Sequence, residues 1–91
     1  MLVLPAELTL DEASACARML AQGLRSEPGK QAVADASALQ KFDSSALAVL
    51  LACRREALAN GKTFTVAGLP PRLRELATVY GVAELLAPAA A

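Results

Sequence analysis

In the stretch FDSSALAVLL, residues 42–51, three polar residues come directly before a strongly apolar run. Side-chain oxygens at such a position accept hydrogen bonds from the free backbone N–H groups in the first turn of a helix. Asp43, Ser44 and Ser45 are therefore predicted to cap a helix whose apolar body begins at Ala46. Their side chains are expected at the exposed start of that helix, where they are also available to contact another molecule.

The capped helix is predicted to cover residues 44–59. Asn60 and Gly61 follow it, and these residue types readily take the left-handed conformation found at helix ends. The apolar face of the helix is predicted to contain Leu47, Leu50, Leu51 and Leu58, widened by Val49 and Cys53. A face this wide suggests a contact beyond the helix's own sheet.

An earlier helix is predicted after a short apolar strand in residues 1–8. Thr9 and Glu12 have the spacing of three residues that forms a capping box at a helix start. Turn-forming residues in 26–30 are expected to end this helix. Its buried stripe is predicted from the helical spacing of Ala13, Cys16, Ala17, Leu20 and Leu24.

Two more strands and a third helix complete the predicted order. Residues 31–42 are predicted to form a strand with an irregular tail. Residues 62–69 are predicted to form a strand in which Phe64 and Val66 alternate with threonines. Pro71 suits the first position of the next helix. The buried stripe of that helix is predicted to be Leu73, Leu76, Ala77 and Tyr80.

Alternating strands and helices with short connections predict one α/β domain over residues 1–91. We expect a small sheet of about three or four strands, packed against about three or four helices and joined by right-handed crossovers. Residues 82–86 are expected to form a last helical turn or strand. The tail, residues 87–91, is expected to be frayed.

The composition argues against several classes of function. Nine basic and nine acidic residues give a formal charge of zero, which is not the electrostatic footprint of a nucleic-acid binder. The absence of histidine excludes histidine-based zinc sites and imidazole-based triads. Glu7, Asp35 and Asp43 are poor candidates for a metal or phosphoryl-transfer site without a glycine-rich loop. No cofactor, metal or catalytic residue is therefore expected, and the chain is predicted not to be an enzyme.

Three further features predict the compartment. Cys16 and Cys53 fall in apolar helical runs, where free thiols behave as small buried hydrophobic side chains. The first residues lack a basic leader, so they are predicted to form a strand rather than a signal peptide. The apolar runs are far shorter than the roughly 18 residues of a membrane-spanning helix. A soluble cytoplasmic protein is expected.

Several motifs occur in an order that is typical of one known family. Residues 34–39 are followed by residues 42–47. From Asp43 onward the usual pattern is Asp, then Ser or Thr, then Ser or Gly, then Gly, then Leu, and here Ala46 replaces the usual Gly. Residues 60–70 and the helix predicted in 73–81 come next. In this order the motifs resemble those of the STAS domain, the module of sulphate transporters and anti-sigma factor antagonists. The resemblance implies an α/β STAS fold over most of the chain.

Within this family the chain is most similar to the stand-alone MlaB type, through its apolar run at 47–51 and through residues 72–81. MlaB-type proteins are small cytoplasmic subunits of the Mla phospholipid transport system, which lies in the inner membrane of Gram-negative bacteria and maintains outer-membrane lipid asymmetry. The resemblance implies a regulatory and assembly subunit that binds the ATPase of this ABC transporter and hydrolyses nothing itself. Such a subunit would be peripheral to the inner membrane, and would reach it only through its partner.

The same resemblance implies a contact surface for the ATPase. The expected partner-binding residues are Asp43, Ser44, Ser45, Leu47, Arg72 and Arg74. The two arginines are included because, in this family, their helix lies near the helix that follows Ser44. Tyr80 is instead expected in the core.

Ser44 stands where the anti-sigma factor antagonists have a phosphorylated Ser or Thr, so the resemblance makes it a candidate phosphorylation site. A phosphate at a helix start is favoured by free N–H groups, but in a packed interface its charge opposes docking. The alternative is that Ser44 is an unmodified cap and contact residue.

Two other functions stay open on the sequence. One is a partner-switching anti-sigma factor antagonist that engages a serine kinase, and the other is a structural oligomerisation domain. The first strand is also short for a STAS domain. An exposed sheet edge there would favour a homodimer or strand exchange in the isolated protein.

Overall fold

In the computed structural model, residues 2–86 are described and form alternating strands and helices. The elements in chain order are β1 Leu2–Val3, β2 Glu7–Leu8, α1 Leu10–Ser26, β3 Gln31–Asp35, β4 Lys41–Phe42, α2 Ser45–Ala59, β5 Thr63–Ala67 and α3 Pro71–Val79. A 3-10 turn at Ala83–Leu85 follows α3. The predicted α/β class and the order of the main elements are confirmed. The predicted frayed tail, residues 87–91, lies outside the described residues.

The main sheet has the strand order β1-β3-β5, and all of its strands are parallel. Ala34 in the central strand pairs with Leu2 on one side and Val66 on the other. Phe64 and Val66 are buried as predicted, whereas Thr65 between them is only half-buried. The alternation shows one face of β5 turned toward the core.

The strand predicted for residues 1–8 is two separate short strands. β1 belongs to the main sheet, and β2 forms a parallel pair with β4 in which Leu8 lies opposite Phe42. Pro5 lies between β1 and β2 and has no backbone N–H to donate to a ladder, so a single strand is not continued through it.

Helix α1 starts and packs as the sequence predicts. The Glu12 carboxylate accepts hydrogen bonds from the backbone N–H of Thr9 at 3.1 Å and from the Thr9 hydroxyl at 2.9 Å. The capping-box glutamate therefore fixes the first turn. The predicted stripe faces the core, with Cys16, Leu20 and Leu24 fully buried.

Helix α2 begins at Ser45, and Gly61 follows its end in the left-handed conformation, at φ 71°. The prediction that Leu58 lies on the buried face of α2 is wrong, because Leu58 is 50% exposed while Leu50 is fully buried. A helix turns by about 100° per residue, so Leu58 lies about 80° around the axis from Leu50. Ala57 lies nearly above Leu50 instead, and it is buried. The buried side chains of α2 are Ala46, Leu47, Val49, Leu50, Cys53 and Ala57.

Helix α3 begins with Pro71 at its first position, as predicted, and buries Leu73 and Ala77. Tyr80 is 60% exposed, so its predicted place in the core is wrong. The spacing of seven residues from Leu73 keeps a side chain on the core face only while the helix continues over the core. Here α3 ends one residue before Tyr80, and Gly81 then turns the chain at φ 73°.

Polar contacts at one end of the fold join the end of α1 to α2 and to the residue before β5. Arg25 near the end of α1 forms an ion pair with Glu56 of α2, with 3.0 Å between Nη1 and Oε1. The Lys62 ammonium group donates hydrogen bonds to the backbone carbonyls of Glu27 and Gly29, just after α1. These contacts lie near the C-terminal end of α2.

Candidate functional site

Asp43 connects the starts of α1 and α2. Its Oδ1 atom accepts a hydrogen bond from the backbone N–H of Ser45 at 2.8 Å, and its Oδ2 atom accepts one from the backbone N–H of Leu10 at 3.2 Å. The bond from the Ser45 N–H is the main reason that the pKa of Asp43 lies below its ordinary value. The predicted cap before α2 is therefore confirmed for this carboxylate.

Ser44 does not contribute the capping bond predicted for its hydroxyl. The residue occupies the N-cap position, yet its backbone is already helical, with φ −62° and ψ −16°. Side chains usually cap from an extended backbone, and Ser44 makes no side-chain capping bond. Its side chain is exposed. The fold thus leaves the Ser44 hydroxyl available for another role.

A shallow apolar depression of about 410 Å³ opens beside Ser44. Its lining comes from the first turns of α2 and from the chain just after α3. We call it the Ser44 groove, and its residues are Ser44, Leu47, Ala48, Leu51, Tyr80 and Val82. Leu47 is buried, whereas Ala48 and Tyr80 are exposed. The groove therefore has a packed base and accessible walls.

Tyr80 is the site residue that the sequence reasoning missed. It lines the Ser44 groove, and its neighbour in the chain, Val79, is 79% exposed at the end of α3. The signal that would have found Tyr80 is its place directly before Gly81. A glycine at that position ends the helix, so the preceding aromatic side chain does not continue a buried stripe.

The two predicted arginines lie apart from the Ser44 groove. Arg72 shares a neighbouring depression with Glu75, Leu76 and Val79. Arg74 lines a different cavity of about 260 Å³, which α3 forms with β5 and the 3-10 turn. The structure thus brings the predicted residues at the start of α2 together and places neither arginine in the groove.

The cysteine thiols are buried side chains of the core. Burial raises the pKa of Cys53 to about 11 and also raises the pKa of Cys16. A thiol with a raised pKa is neutral near pH 7, and the thiolate is the nucleophilic form. Both side chains therefore serve packing between α1 and α2.

Within residues 2–86, no group of three or more Cys, Asp or Glu side chains is arranged to hold a metal ion. The same part of the chain has no helix that is long and apolar enough to cross a membrane. What the described site offers is an accessible apolar groove beside a free hydroxyl, which suits binding.

A comparison with family models matches residues 1–87 to the model described as "Mlab, STAS domain". The chain belongs to the STAS domain family. A search of curated proteins gives no match. STAS domains are generally regulatory or binding domains rather than enzymes, and the groove in this STAS domain agrees with such a role.

Proposed function

We propose that this STAS domain is a non-catalytic regulatory and assembly subunit that binds the ATPase of an ABC phospholipid transporter. The contact is made through the Ser44 groove. The observation that carries the proposal is the 60% exposure of Tyr80 at the wall of an apolar groove. Aromatic side chains of this kind are enriched among the residues that dominate binding energy at protein interfaces.

The exposed apolar side chains near the groove support a protein partner. Tyr80 and its chain neighbour Val79 are both exposed, and Ala48 adds a small exposed side chain on α2. Contiguous exposed apolar surface on a soluble domain often marks an interaction site. Because the groove is wide and shallow, it suits the surface of another protein better than a small molecule, which usually binds in an enclosed pocket.

The description of the family supports the choice of partner. The matching model is described as "Mlab, STAS domain", and the MlaB resemblance of the sequence implies the Mla phospholipid transport system. The proposed partner is accordingly the ATPase subunit of an inner-membrane transporter that maintains outer-membrane lipid asymmetry. In this assignment the protein is cytoplasmic and meets the inner membrane only through the transporter. Two expectations remain predictions: that the protein has no nucleic-acid partner, and that the isolated protein can form a homodimer.

Ser44 is the proposed point of regulation at this contact. Its side chain is exposed, makes no capping bond and lines the groove. A phosphate on this hydroxyl adds nearly two negative charges inside an apolar contact, which opposes docking. In the unmodified protein, Ser44 is a small contact residue that lets the partner approach α2 closely.

A second candidate function is an anti-sigma factor antagonist in a partner switch. The free Ser44 hydroxyl at the start of α2 favours it, because a serine that takes no part in the fold is accessible to a kinase. The two functions differ in the partner that they require.

Co-purification of the tagged protein from its native cell tests both functions. We compare wild type with Ser44→Glu and with Ser14→Glu, a matched change at an exposed serine of α1. The expected result is an ABC-transporter ATPase recovered with wild type and Ser14→Glu, and much less of it with Ser44→Glu. Recovery of a sigma-regulating kinase without any ATPase would contradict the proposal and support the second candidate.

A further inference from the structure

Leu10, the first residue of α1, is a large apolar side chain that the fold leaves 74% exposed. Its backbone N–H donates the 3.2 Å hydrogen bond to Oδ2 of Asp43, and Oδ1 of the same carboxylate accepts the 2.8 Å bond from the N–H of Ser45. The backbone nitrogen atoms of Leu10 and Ser45 therefore lie within about 8 Å of each other. The start of α1 is thus held beside the start of α2, where the Ser44 groove begins.

The Ser44 groove is smaller than a whole protein interface. Six side chains line it, whereas a stable interface takes about 20–30 residues and about 800 Å² from each partner. A patch of that area is roughly 30 Å across. A partner that docks on the groove therefore covers neighbouring surface as well, and Leu10 supplies exposed apolar surface within that distance.

The charged groups at the starts of α1 and α2 are carboxylates. Asp43, at the margin of the Ser44 groove, and Asp11, in the first turn of α1, are both exposed. Asp43 accepts hydrogen bonds only from uncharged backbone N–H groups, so it keeps its negative charge. Among residues 2–86, neither carboxylate forms an ion pair, and Lys41 near Asp43 in the chain lies opposite Glu7 in the β2–β4 pair. This surface is therefore negative in a chain whose formal charge is zero.

A partner that covers this surface removes water from the Asp43 carboxylate. A carboxylate that loses hydration without gaining a cation opposes binding, whereas a Lys or Arg side chain of the partner restores the lost interaction. A second copy of this chain brings the same carboxylates to the contact. Repulsion between like charges therefore makes a second copy a poorer occupant than a basic partner.

We infer that the docking surface extends from the Ser44 groove across Asp43 to Leu10, and that its occupant is a basic amphipathic segment of the partner protein. Apolar side chains of this segment cover Tyr80 and Leu10, and a Lys or Arg side chain pairs with Asp43. The inference rests on the proposed function and adds the chemistry of the partner's contact segment. The groove itself has no charged lining residue, so a phosphate on Ser44 still places its charge against apolar side chains.

Binding of the purified protein to the purified ATPase subunit tests the apolar part of this surface. Leu10→Ala is compared with Leu58→Ala, a matched change at a half-exposed leucine near the other end of α2. We expect Leu10→Ala to weaken binding by about tenfold, because the partner loses apolar area to cover. Leu58→Ala is expected to stay within about twofold of wild type.

The charged part is tested by affinity and association rate at ~50 mM and ~500 mM NaCl. Asp43→Asn removes the charge at the margin of the groove, and Asp11→Lys reverses a charge of the same surface without touching the Asp43 cap. We expect each to weaken binding at low salt by about fivefold, mainly through slower association, with a smaller difference at high salt. The control is Glu75→Lys, at an exposed carboxylate of α3 in a separate depression, which is expected to stay within about twofold of wild type.

The possible results separate this inference from the proposed function. Wild-type binding that Tyr80→Ala weakens, but that Leu10→Ala and both charge variants leave unchanged, would overturn the inference and keep the proposed function. Stronger binding by Asp43→Asn or Asp11→Lys would point to an acidic partner and also overturn it. No binding by wild type would reject both, and self-association of wild type that Leu10→Ala abolishes would identify a second copy as the occupant, against the inference. Urea unfolding of each variant verifies that it is folded under the binding conditions.

Discussion

Replacement of Tyr80 by alanine separates docking from folding most clearly. Tyr80 lines the Ser44 groove and is 60% exposed, whereas Leu73 of α3 is fully buried. The substitution is therefore expected to weaken partner binding strongly and to change the free energy of unfolding little.

The size of the effect follows from the exposed area. An aromatic side chain buries about 150–250 Å² when it is fully covered, and the 60% exposure of Tyr80 leaves about 90–150 Å² of that for a partner to cover. At about 25 cal/mol per Å², this area corresponds to about 2–4 kcal/mol of binding free energy. The expected loss of affinity is therefore about 50-fold to 500-fold, as an upper value because alanine keeps the Cβ atom.

Isothermal titration calorimetry with the ATPase subunit measures this loss, and urea unfolding of the free protein measures stability. Met19→Ala is a matched control, because Met19 is a similarly exposed apolar side chain on α1. It is expected to leave affinity unchanged. If Tyr80→Ala binds like wild type while its unfolding midpoint is also unchanged, the groove is not the docking surface and the reasoning fails.

Two further predictions concern the fold that carries the groove. Leu50→Ala is expected to lower the free energy of unfolding by about 2–5 kcal/mol, and Leu58→Ala by less than about 1 kcal/mol, because only Leu50 is buried; equal losses in urea unfolding would contradict the placement of these side chains. For Asp43, hydrogen bonds hold the pKa below its ordinary value of 3.8. The ionised carboxylate therefore stabilises the folded state above pH 3.8, and this stabilisation is lost as the pH falls through the lowered pKa. The urea midpoint of wild type is accordingly expected to fall more between pH 7 and about pH 3 than that of Asp43→Asn, and parallel curves would argue against the cap.

The starts and ends of helices were predictable because they depend on neighbours in the sequence. The bond from Thr9 to Glu12, the place of Pro71 in α3 and the left-handed Gly61 after α2 all follow from residues within one turn. The main buried stripes follow from helical spacing for the same reason. The α/β class was therefore accessible from the sequence alone.

Exposure at the edges of the core depends on where each helix stops and on what lies beyond it. Leu58 and Tyr80 are each separated from apolar residues by a spacing that fits a buried helical stripe. Leu58 nevertheless lies off the buried face of α2, and Tyr80 comes after the end of α3. The exposure of Leu58 follows from its angle to Leu50 around the helix axis, whereas the exposure of Tyr80 depends on where α3 ends relative to the core. The apolar groove formed by α2 and the chain after α3 was missed for this reason.

The choice among three adjacent oxygen-bearing side chains also lay beyond the sequence. Asp43, Ser44 and Ser45 all fit the composition of a cap, and the backbone dihedral angles decide which of them reaches the free N–H groups. The second bond of Asp43 goes to Leu10, which lies 33 residues away in the chain. No local pattern indicates such a contact.

Because Asp43 caps the first turn of α2, the side chain at position 44 is released from capping. Natural selection can then act on that position for recognition alone. Under the proposed function, exchanging its side chain is expected to alter which molecules dock and to leave the native state intact, so related chains would diverge in partner preference by single substitutions there while they keep the same architecture.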